Sequence, residues 1–326
     1  MLSIGCSTTK AAAGVFRVAV LLAVLLAVSG CSNNPLGDGR PLTGVYISPV
    51  GGGWTVGFSG VIAHWLDNKW QQTPSPTEAD LFSVHMASPD SGWIVGVGGT
   101  ILKYDGSTWA KASSPTDADL YSVYAVSPVE AWAVGAAGKI LHYKGDSWSL
   151  VASPTDVDLH AVQMLSADEG WAVGSRLQTA QPMSIILHYA NGVWTKQSTP
   201  EGVRLVDIQM FANGEGWAVG QDVTAKPNPD GAILRYKDGT WTREAVAQIS
   251  LLNSISMTDA GNGWAVGGGA MVRCTNGHWA ATDILIAKHG LSKVYATSND
   301  GWAVSAYGGG PILRYQNGTW SAFKNQ

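Results

Sequence analysis

The chain has 326 residues, a formal net charge of −4 and 45% hydrophobic residues, so it is long enough to bury a large core. The mild charge argues neither for a nucleic-acid partner nor for binding to a strongly anionic surface. Of the three cysteines, Cys6 lies in a segment that we predict to be removed, so a disulfide framework is excluded.

The first thirty residues are organised like a secretion signal. Lys10 and Arg17 precede an uncharged run over 18–28, which is too short to span a membrane stably. Val-Ser-Gly-Cys at 28–31 follows and resembles the lipobox of bacterial lipoproteins, which implies cleavage before Cys31 and acylation of that residue. We expect an exported protein that Cys31 anchors on the extracytoplasmic side of a bacterial membrane. Ordinary secretion with a free Cys31 is the alternative.

The remainder of the chain repeats one pattern seven times. A tryptophan in a Gly-Trp-x-Val-Gly-like motif recurs with spacings of 39, 39, 39, 46, 47 and 38 residues. These tryptophans are Trp54, Trp93, Trp132, Trp171, Trp217, Trp264 and Trp302. A repeat of this length indicates a supersecondary unit that must stack against its neighbours.

Each copy contains four short segments that are typical of strands. In the third copy they are 120–125, 131–135, 139–143 and 147–151, and Gly, Pro, Asp or Ser residues bound them. A four-stranded sheet cannot bury both faces alone. The sequence therefore predicts an all-β, seven-bladed β-propeller of four-stranded antiparallel blades, preceded by a cleaved signal peptide. A linear β-solenoid is the less favoured architecture.

The predicted organisation is a signal peptide at 1–30, a tether at 31–41 and a propeller at 42–326. The repeats are 42–76, 77–115, 116–154, 155–200, 201–247, 248–287 and 288–326. Seven of the fifteen tryptophans fall in fourth strands and Trp65 ends a third strand. The fourth-strand set is Trp70, Trp109, Trp148, Trp194, Trp241, Trp279 and Trp320. Fourteen repeating indoles indicate a core between blades, not an exposed carbohydrate platform.

With the repeat defined, its motifs resemble those of the Asp-box (BNR) propellers, and most those of the photosystem II stability and assembly factor family. The best matches to the last motif are Tyr-Asp-Gly-Ser-Thr-Trp at 104–109 and Tyr-Lys-Asp-Gly-Thr-Trp at 236–241. The resemblance covers 42–323, although no copy has the full Ser-x-Asp-x-Gly-x-Thr-Trp box. It implies a non-enzymatic scaffold for assembling membrane complexes, while the photosynthetic role does not follow from these residues.

Catalytic signatures are weak. Resemblance to sialidases, which share the Asp-box propeller, would require an arginine triad, a Tyr-Glu nucleophile pair and an Asp acid. Three of the seven arginines after the signal instead share one repeat position. The histidines lack short metal-ligand spacing and there is no Cys-x-x-Cys. We predict no catalytic, cofactor or metal site, although a carboxylate pair brought together from distant positions stays open.

Three consecutive loops before the first strands carry acids at one register, namely Asp80, Asp119 and Asp158. The other copies have Pro41, Arg204, Leu251 and Gly290 at that register. Since a purely structural need should recur in all seven copies, two interpretations stay open. The acids form turn hydrogen bonds, or they form an acidic crescent that receives a basic partner or a cation. Longer loops at 175–184 and 221–231 lie on the same predicted face and are a second candidate surface.

A basic or potentially basic residue also recurs in every third strand. The seven residues are His64, Lys103, His142, His188, Arg235, Arg273 and Arg314. This recurrence favours stacking on aromatic faces, and a basic belt that meets anionic groups is the alternative. The candidate partner-binding residues are Asp80, Asp119, Asp158, Arg204, Arg235, Arg273 and Arg314.

Together these features predict a monomeric, lipid-anchored propeller that binds an unidentified protein and no nucleic acid. The alternative function is a carbohydrate-active or glycan-binding propeller of the sialidase type. Convergent carboxylates or arginines in the axial mouth would favour that alternative.

Overall fold

The computed structural model describes residues 36, 39–48, 52–176, 183–224, 230–246, 249–282, 290–305 and 310–325. The predicted signal peptide, Cys31 and most of the predicted tether lie outside these residues. The described strands form seven four-stranded antiparallel sheets, each built from four consecutive strands. The predicted seven-bladed propeller is confirmed.

The blades follow one another along the chain. Blades 1 to 4 consist of β1 (Leu42–Ile47), β2 (Gly53–Gly57), β3 (Ile62–Leu66), β4 (Lys69–Gln72), β5 (Leu81–Ser88), β6 (Ser91–Gly96), β7 (Ile101–Tyr104), β8 (Trp109–Lys111), β9 (Leu120–Ser127), β10 (Glu130–Gly135), β11 (Ile140–Lys144), β12 (Ser147–Val151), β13 (Leu159–Met164), β14 (Glu169–Arg176), β15 (Met183–Ala190) and β16 (Val193–Gln197). Blades 5 to 7 consist of β17 (Val203–Met210), β18 (Gly216–Asp222), β19 (Asp230–Lys237), β20 (Thr240–Arg243), β21 (Leu252–Asp259), β22 (Asn262–Gly267), β23 (Met271–Thr275), β24 (His278–Ala281), β25 (Lys293–Ala296), β26 (Asp300–Val304), β27 (Leu313–Gln316) and β28 (Thr319–Ala322).

The ring closes between blades 7 and 1 without exchanging a strand. First strands of successive blades contact one another around the axis, and β25 contacts β1. The Leu42 N–H donates to the Ser305 carbonyl at 3.0 Å, and Ser292 Oγ donates to the Leu42 carbonyl at 2.7 Å. At the outer strand of blade 1, the Asn325 amide bonds to the backbone N–H and C=O of Trp70 at 3.0 and 2.9 Å. The C-terminal residues therefore fasten the last blade to the first.

Tryptophans fill the spaces between blades, as the repeat predicts. Trp132 of blade 3 is 1% exposed and packs in one cluster with Tyr189 and Trp194 of blade 4. The ring centroids of Trp132 and Trp194 are 5.7 Å apart at 77°. Equivalent clusters occupy the other six interfaces. Of the fourteen repeating indoles, only Trp279 is half-buried instead of buried. Each blade is therefore held mainly by its neighbours.

The first strand of each blade is an edge strand, so its free backbone groups need partners. Polar side chains of the preceding blade supply them. Gln163 accepts from the Met210 N–H at 2.6 Å and donates to the Met210 carbonyl at 3.0 Å, and Gln209 bonds to Met257 in the same way. These contacts hold the first strands of neighbouring blades together around the axis. They thereby determine which side chains face the central cavity.

Candidate binding surfaces

The propeller has two faces with different chemistry. The upper face carries the loops before the first strands and the connections from second to third strands. The lower face carries the connections from first to second and from third to fourth strands. Asp80, Asp119, Asp158 and Arg204 lie towards the upper face, whereas the third-strand ring of basic residues lies towards the lower face. The structure therefore places the three aspartates and Arg204 towards one face and the arginines of the third strands towards the other.

On the upper face, each of the three aspartates joins two blades. In each case Oδ1 accepts a backbone N–H from the three-residue 3₁₀ turn of the preceding blade, which connects its second and third strands. The pairs are Asp80 with Ser59 at 2.8 Å, Asp119 with Gly98 at 2.8 Å and Asp158 with Ala137 at 2.7 Å. The Asp80 carbonyl also accepts from Val97 N–H of its own blade at 2.9 Å. The carboxylates thus have a structural role.

The last glycine of the repeat motif makes this arrangement possible. A Cβ at Gly96 would lie 2.1 Å from the Asp80 carbonyl oxygen, and a Cβ at Gly135 would lie 2.0 Å from the Asp119 carbonyl oxygen. Only a residue without a side chain permits such a close approach. The motif that defines the repeat therefore also fixes where each aspartate sits.

The preceding turns account for the three aspartates and for their replacement after blades 4 and 5. Among the described connections, the 3₁₀ turns occur at Phe58–Gly60, Val97–Gly99 and Ala136–Gly138, in blades 1 to 3. Blades 4 and 5 have longer hairpins there, so Arg204 and Leu251 replace the aspartate in the blades that follow. The expectation that a structural need would recur in all seven copies was wrong, because the need depends on the neighbouring turn. Contact of these aspartates with a basic partner stays a prediction.

The two long loops are partly strand extensions. Strand β14 continues to Arg176 and β15 begins at Met183, while β18 continues to Asp222 and β19 begins at Asp230. The rest of the predicted loops lies outside the described residues. Arg243 pairs with Asp222 at 2.5 Å. Their use in partner capture stays a prediction.

Arg204 lies beside one of these hairpins. Its Nη1 donates to Gln221 Oε1 at 3.4 Å, and the two residues are in register between β17 and β18. Arg204 therefore lies apart from the arginines of the third strands.

On the lower face, every third-strand basic residue covers the tryptophan directly across from it. The three histidines stack on Trp54, Trp132 and Trp171 with centroid distances of 3.9 to 4.2 Å. The charged groups lie 5.0 to 5.3 Å from their indole centroids, in the pairs Lys103 with Trp93, Arg235 with Trp217, Arg273 with Trp264 and Arg314 with Trp302. The expected stacking is confirmed, and it holds each cation at a fixed place on the face.

The charge of this ring is uneven. Burial lowers the pKa of His64, so this residue is neutral at pH 7. Arginines occupy this position on three adjacent blades, at Arg235, Arg273 and Arg314, which we call the arginine arc, and Lys103 lies apart from them on blade 2. Glu215 lies 3.6 Å from Arg235 and Asp300 lies 3.1 Å from Arg314.

Arg273 is the exposed member of the arginine arc. It forms no ion pair within the part of the chain that the structure describes. A pocket of about 260 Å³ beside it is also lined by Asp259, Trp264 and Tyr315. An incoming carboxylate can therefore reach this guanidinium directly.

The axis holds a cavity of about 250 Å³ between the first strands. One ring of its lining consists of the residues opposite the second-strand tryptophans, Tyr46, His85, Tyr124, Gln163, Gln209, Ser256 and Tyr295. Asp207 is the only carboxylate in the described lining, and it accepts from Lys293 Nζ at 2.8 Å and from the Ile255 N–H at 3.0 Å. Sequence reasoning missed this ring, although each member lies seven or eight residues before its tryptophan.

The described residues contain no cluster of three or more His, Cys, Asp or Glu side chains that could hold a metal ion. Burial raises the pKa of the Cys274 thiol to about 11, and this thiol donates to the Gly261 carbonyl at 3.2 Å. No helix in the described ranges has the length and hydropathy to cross a membrane.

The fold and its repeat define a seven-bladed propeller with BNR-like repeats. A family model described as photosynthesis system II assembly factor YCF48 matches residues 62–173, which run from β3 into β14. The predicted resemblance to this family is therefore confirmed over about a third of the chain. No curated protein matches the sequence.

Solved structures extend the likeness to the whole ring. YCF48 bound to D1 peptide has a TM-score of 0.68 at 15% identity, covering 87% of this chain and 95% of that one. YCF48 from Cyanidioschyzon merolae has a TM-score of 0.67 at 18% identity, covering 87% and 98%. A GH74 xyloglucanase from Xanthomonas campestris has a TM-score of 0.66 at 14% identity, covering 87% and 53%. At these identities the likeness establishes the fold, and the same fold occurs in an enzyme.

Proposed function

We propose that this chain is an extracytoplasmic, lipid-anchored propeller that acts as a non-enzymatic scaffold and binds an acidic segment of another protein on its lower face. The arginine arc is the observation that carries this proposal. The match to an assembly-factor family and the solved complex of YCF48 with D1 peptide support a protein partner.

The arginine arc has the properties of a protein-binding surface. Each guanidinium lies over an indole, so little rotamer freedom is lost when its N–H groups bind a carboxylate. Arg273 is exposed, while Glu215 and Asp300 beside the other two limit the net positive charge. Because the arc is at the surface, we expect binding that weakens as salt is raised.

The axial cavity supports the scaffold over the glycan-processing alternative. A glycosidase of the common kind needs two carboxylates flanking the bond that is cleaved. The described lining of the cavity contributes Asp207 alone, and this carboxylate is already held by Lys293 and the Ile255 N–H. Binding of a substrate carboxylate as in sialidases would need arginines that converge at the axial cavity. The arginine arc lies in third strands, whereas the cavity is lined by first strands.

The membrane anchor at Cys31 is a separate part of the proposal. Replacing Cys31 with Ser should release the protein from the membrane fraction without altering its thermal unfolding, because Cys31 precedes every described strand. Mass spectrometry of the native chain should find acyl groups on Cys31. An unmodified Cys31 would contradict the anchor and leave the binding surface to be judged separately.

Site-specific crosslinking in intact membranes tests the binding surface. A photoreactive residue replaces the exposed Thr275, which ends β23 beside Arg273, and a control replaces the exposed Lys111 on the outer strand β8. We expect a discrete protein adduct from position 275 that disappears when Arg273 is changed to Gln and at high salt. Identical adducts from both positions, or an adduct indifferent to Arg273→Gln, would contradict the proposed surface.

A further inference from the structure

The axial cavity is lined by side chains that take no part in the proposed protein binding at the arginine arc. One side of its ring is aromatic and formed by blades 7, 1, 2 and 3. The centroid distances are 5.4 Å between Tyr295 and Tyr46, 5.0 Å between Tyr46 and His85, and 4.2 Å between His85 and Tyr124. The opposite side consists of Gln163, Gln209 and Ser256. A ligand in this cavity would meet ring edges and faces on one side and amides on the other.

The main side-chain hydrogen-bond acceptors in the cavity lining already accept backbone N–H groups. Gln163 and Gln209 accept from the N–H groups of Met210 and Met257. His85 Nδ1 accepts from the Ala125 N–H at 3.1 Å, so the neutral imidazole carries its proton on Nε2. The oxygens of the lining serines Ser83, Ser122 and Ser256 accept backbone N–H groups of the next blade in the same way. Few free lone pairs remain for a ligand that donates hydrogen bonds.

Several donors of the cavity are unused. The hydroxyls of Tyr46, Tyr124 and Tyr295 make no hydrogen bond within the described part of the chain. Burial raises the pKa of Tyr46 to about 12 and also raises that of Tyr295, so both phenols keep their protons. Lys293 uses one N–H on Asp207 and is 37% exposed. The lining therefore offers more hydrogen-bond donors than free acceptors.

The hydrogen-bond donors and charges of the lining indicate which class of ligand the cavity would bind. A surplus of donors beside an ammonium group suits an acceptor-rich anion. Asp207 offsets the charge of Lys293, and no arginine is in the described lining, so a multiply charged phosphate has little to bind. The aromatic arc gives a flat apolar surface beside the ammonium group.

We propose that the axial cavity binds a small monocarboxylic acid with an apolar or aromatic body, whose carboxylate is held by Lys293 and the hydroxyls of Tyr46, Tyr124 and Tyr295. The volume of about 250 Å³ accommodates a molecule with one ring. This site is independent of the arginine arc, so either proposal can fail without the other.

Calorimetric titration of the purified full chain with benzoate tests the site, with acetate and inorganic phosphate as comparison ligands. The combined Tyr46→Phe, Tyr124→Phe and Tyr295→Phe variant removes only hydroxyls that have no hydrogen-bond partner among the described residues, so it should fold as the parent does. Tyr104→Phe is the matched control, because the Tyr104 ring packs between blades 1 and 2 and does not line the axial cavity. Thermal unfolding of each variant checks that the fold is intact.

We expect benzoate to bind in the millimolar range or tighter and to bind better than phosphate. The triple variant should weaken binding at least about tenfold, since three hydrogen bonds to a charged group are lost. Lys293→Met should weaken it similarly, and Tyr104→Phe should leave it unchanged. No binding of benzoate, equal binding by the triple variant, or tighter binding of phosphate would each overturn the proposal.

Discussion

Blades 1 to 3 and blades 4 and 5 connect their second and third strands in two different ways. The first three use a short 3₁₀ turn whose backbone N–H is bound by an aspartate of the next blade. Blades 4 and 5 extend the same two strands into longer hairpins. A side chain that recurs in only some repeats can therefore be structural, when its partner also occurs in only some repeats.

On the lower face, the packing is the same in all seven blades, but the charge differs between blades 1 to 4 and blades 5 to 7. All seven third-strand residues keep the same stacking on tryptophan, yet permanent positive charge is concentrated on blades 5 to 7. The scaffold thus constrains the position of the side chain and leaves its charge free to vary.

The buried area of the tryptophan core should contribute about equally in the two parts of the ring, which then differ by one indole hydrogen bond. Trp132→Ala in blade 3 and Trp217→Ala in blade 5 should each lower the free energy of unfolding by about 3–5 kcal/mol, because both indoles are fully buried. Trp217→Ala should cost about 1 kcal/mol more, since the Trp217 indole N–H donates to the Ala260 carbonyl at 2.9 Å. Urea unfolding measures both. A small effect of either substitution would contradict the stacked core.

Acid should lower the free energy of unfolding through the buried His160 of blade 4. Burial lowers the pKa of His160 to about 4, although Asp158 and the Ser175 carbonyl oppose the shift, and an unfolded histidine titrates near 6.5. The unfolded chain then binds more protons between these values, so stability falls as pH drops from about 6.5 to about 4.

His160→Gln should remove this contribution, which is on the order of 2 kcal/mol. The control is Asn253→Gln, since Asn253 is an inner-strand residue of blade 6 that does not titrate. Urea unfolding at pH 7 and pH 5 compares the variants with the parent. An unchanged difference between the two pH values in His160→Gln would contradict the assignment.

The aspartates should matter for stability only where the preceding turn is short. Asp119→Ala should lower the free energy of unfolding by about 1–2 kcal/mol, because the Gly98 N–H loses a charged acceptor. Leu251→Ala, at the same register in blade 6, should cost less than about 0.5 kcal/mol because Leu251 is exposed. Equal effects of the two substitutions would show that the turn does not explain the asymmetry.

The smallest effect concerns one backbone position within the turns. It has positive φ in all three, at Ser59 (53°), Gly98 (62°) and Ala137 (52°). Ala137→Gly should therefore stabilise by about 0.5–1 kcal/mol, and Gly98→Ala should destabilise by a similar amount. A Cβ at Gly98 would have no atom within 4 Å, so the comparison isolates backbone strain. Differential scanning calorimetry should resolve the opposite signs, and shifts of the same sign would reject the explanation.

The propeller architecture could be predicted because the repeated motif determines both the number of blades and the residues that pack between them. Seven copies of the Trp motif define the number of blades, and the equivalent positions of the indoles indicate what they pack against. The stacking of third-strand residues also followed from recurrence in every copy. These features depend on residues that occur in each blade, so one sequence contains seven observations of each.

Features that depend on a backbone group, or on residues that differ from blade to blade, could not be predicted. The link from Asp119 to the Gly98 N–H joins a side chain to a backbone group, and a backbone group leaves no signature in the sequence. The axial ring was missed because its members differ from blade to blade, from Tyr46 to Gln163 to Ser256. Their common register opposite the tryptophans becomes visible only once the strands are paired.

The central claim is that the arginine arc binds the partner. It is tested most directly by measuring the affinity of the crosslinked partner for two triple variants with the same number of charge changes. Arg235, Arg273 and Arg314 are changed to Gln in one, and Asp80, Asp119 and Asp158 are changed to Asn in the other. We predict that the arginine variant binds at least about tenfold more weakly than the parent, while the aspartate variant binds like the parent and unfolds more easily. Unchanged binding by the arginine variant, with loss of binding by the aspartate variant, would contradict the account.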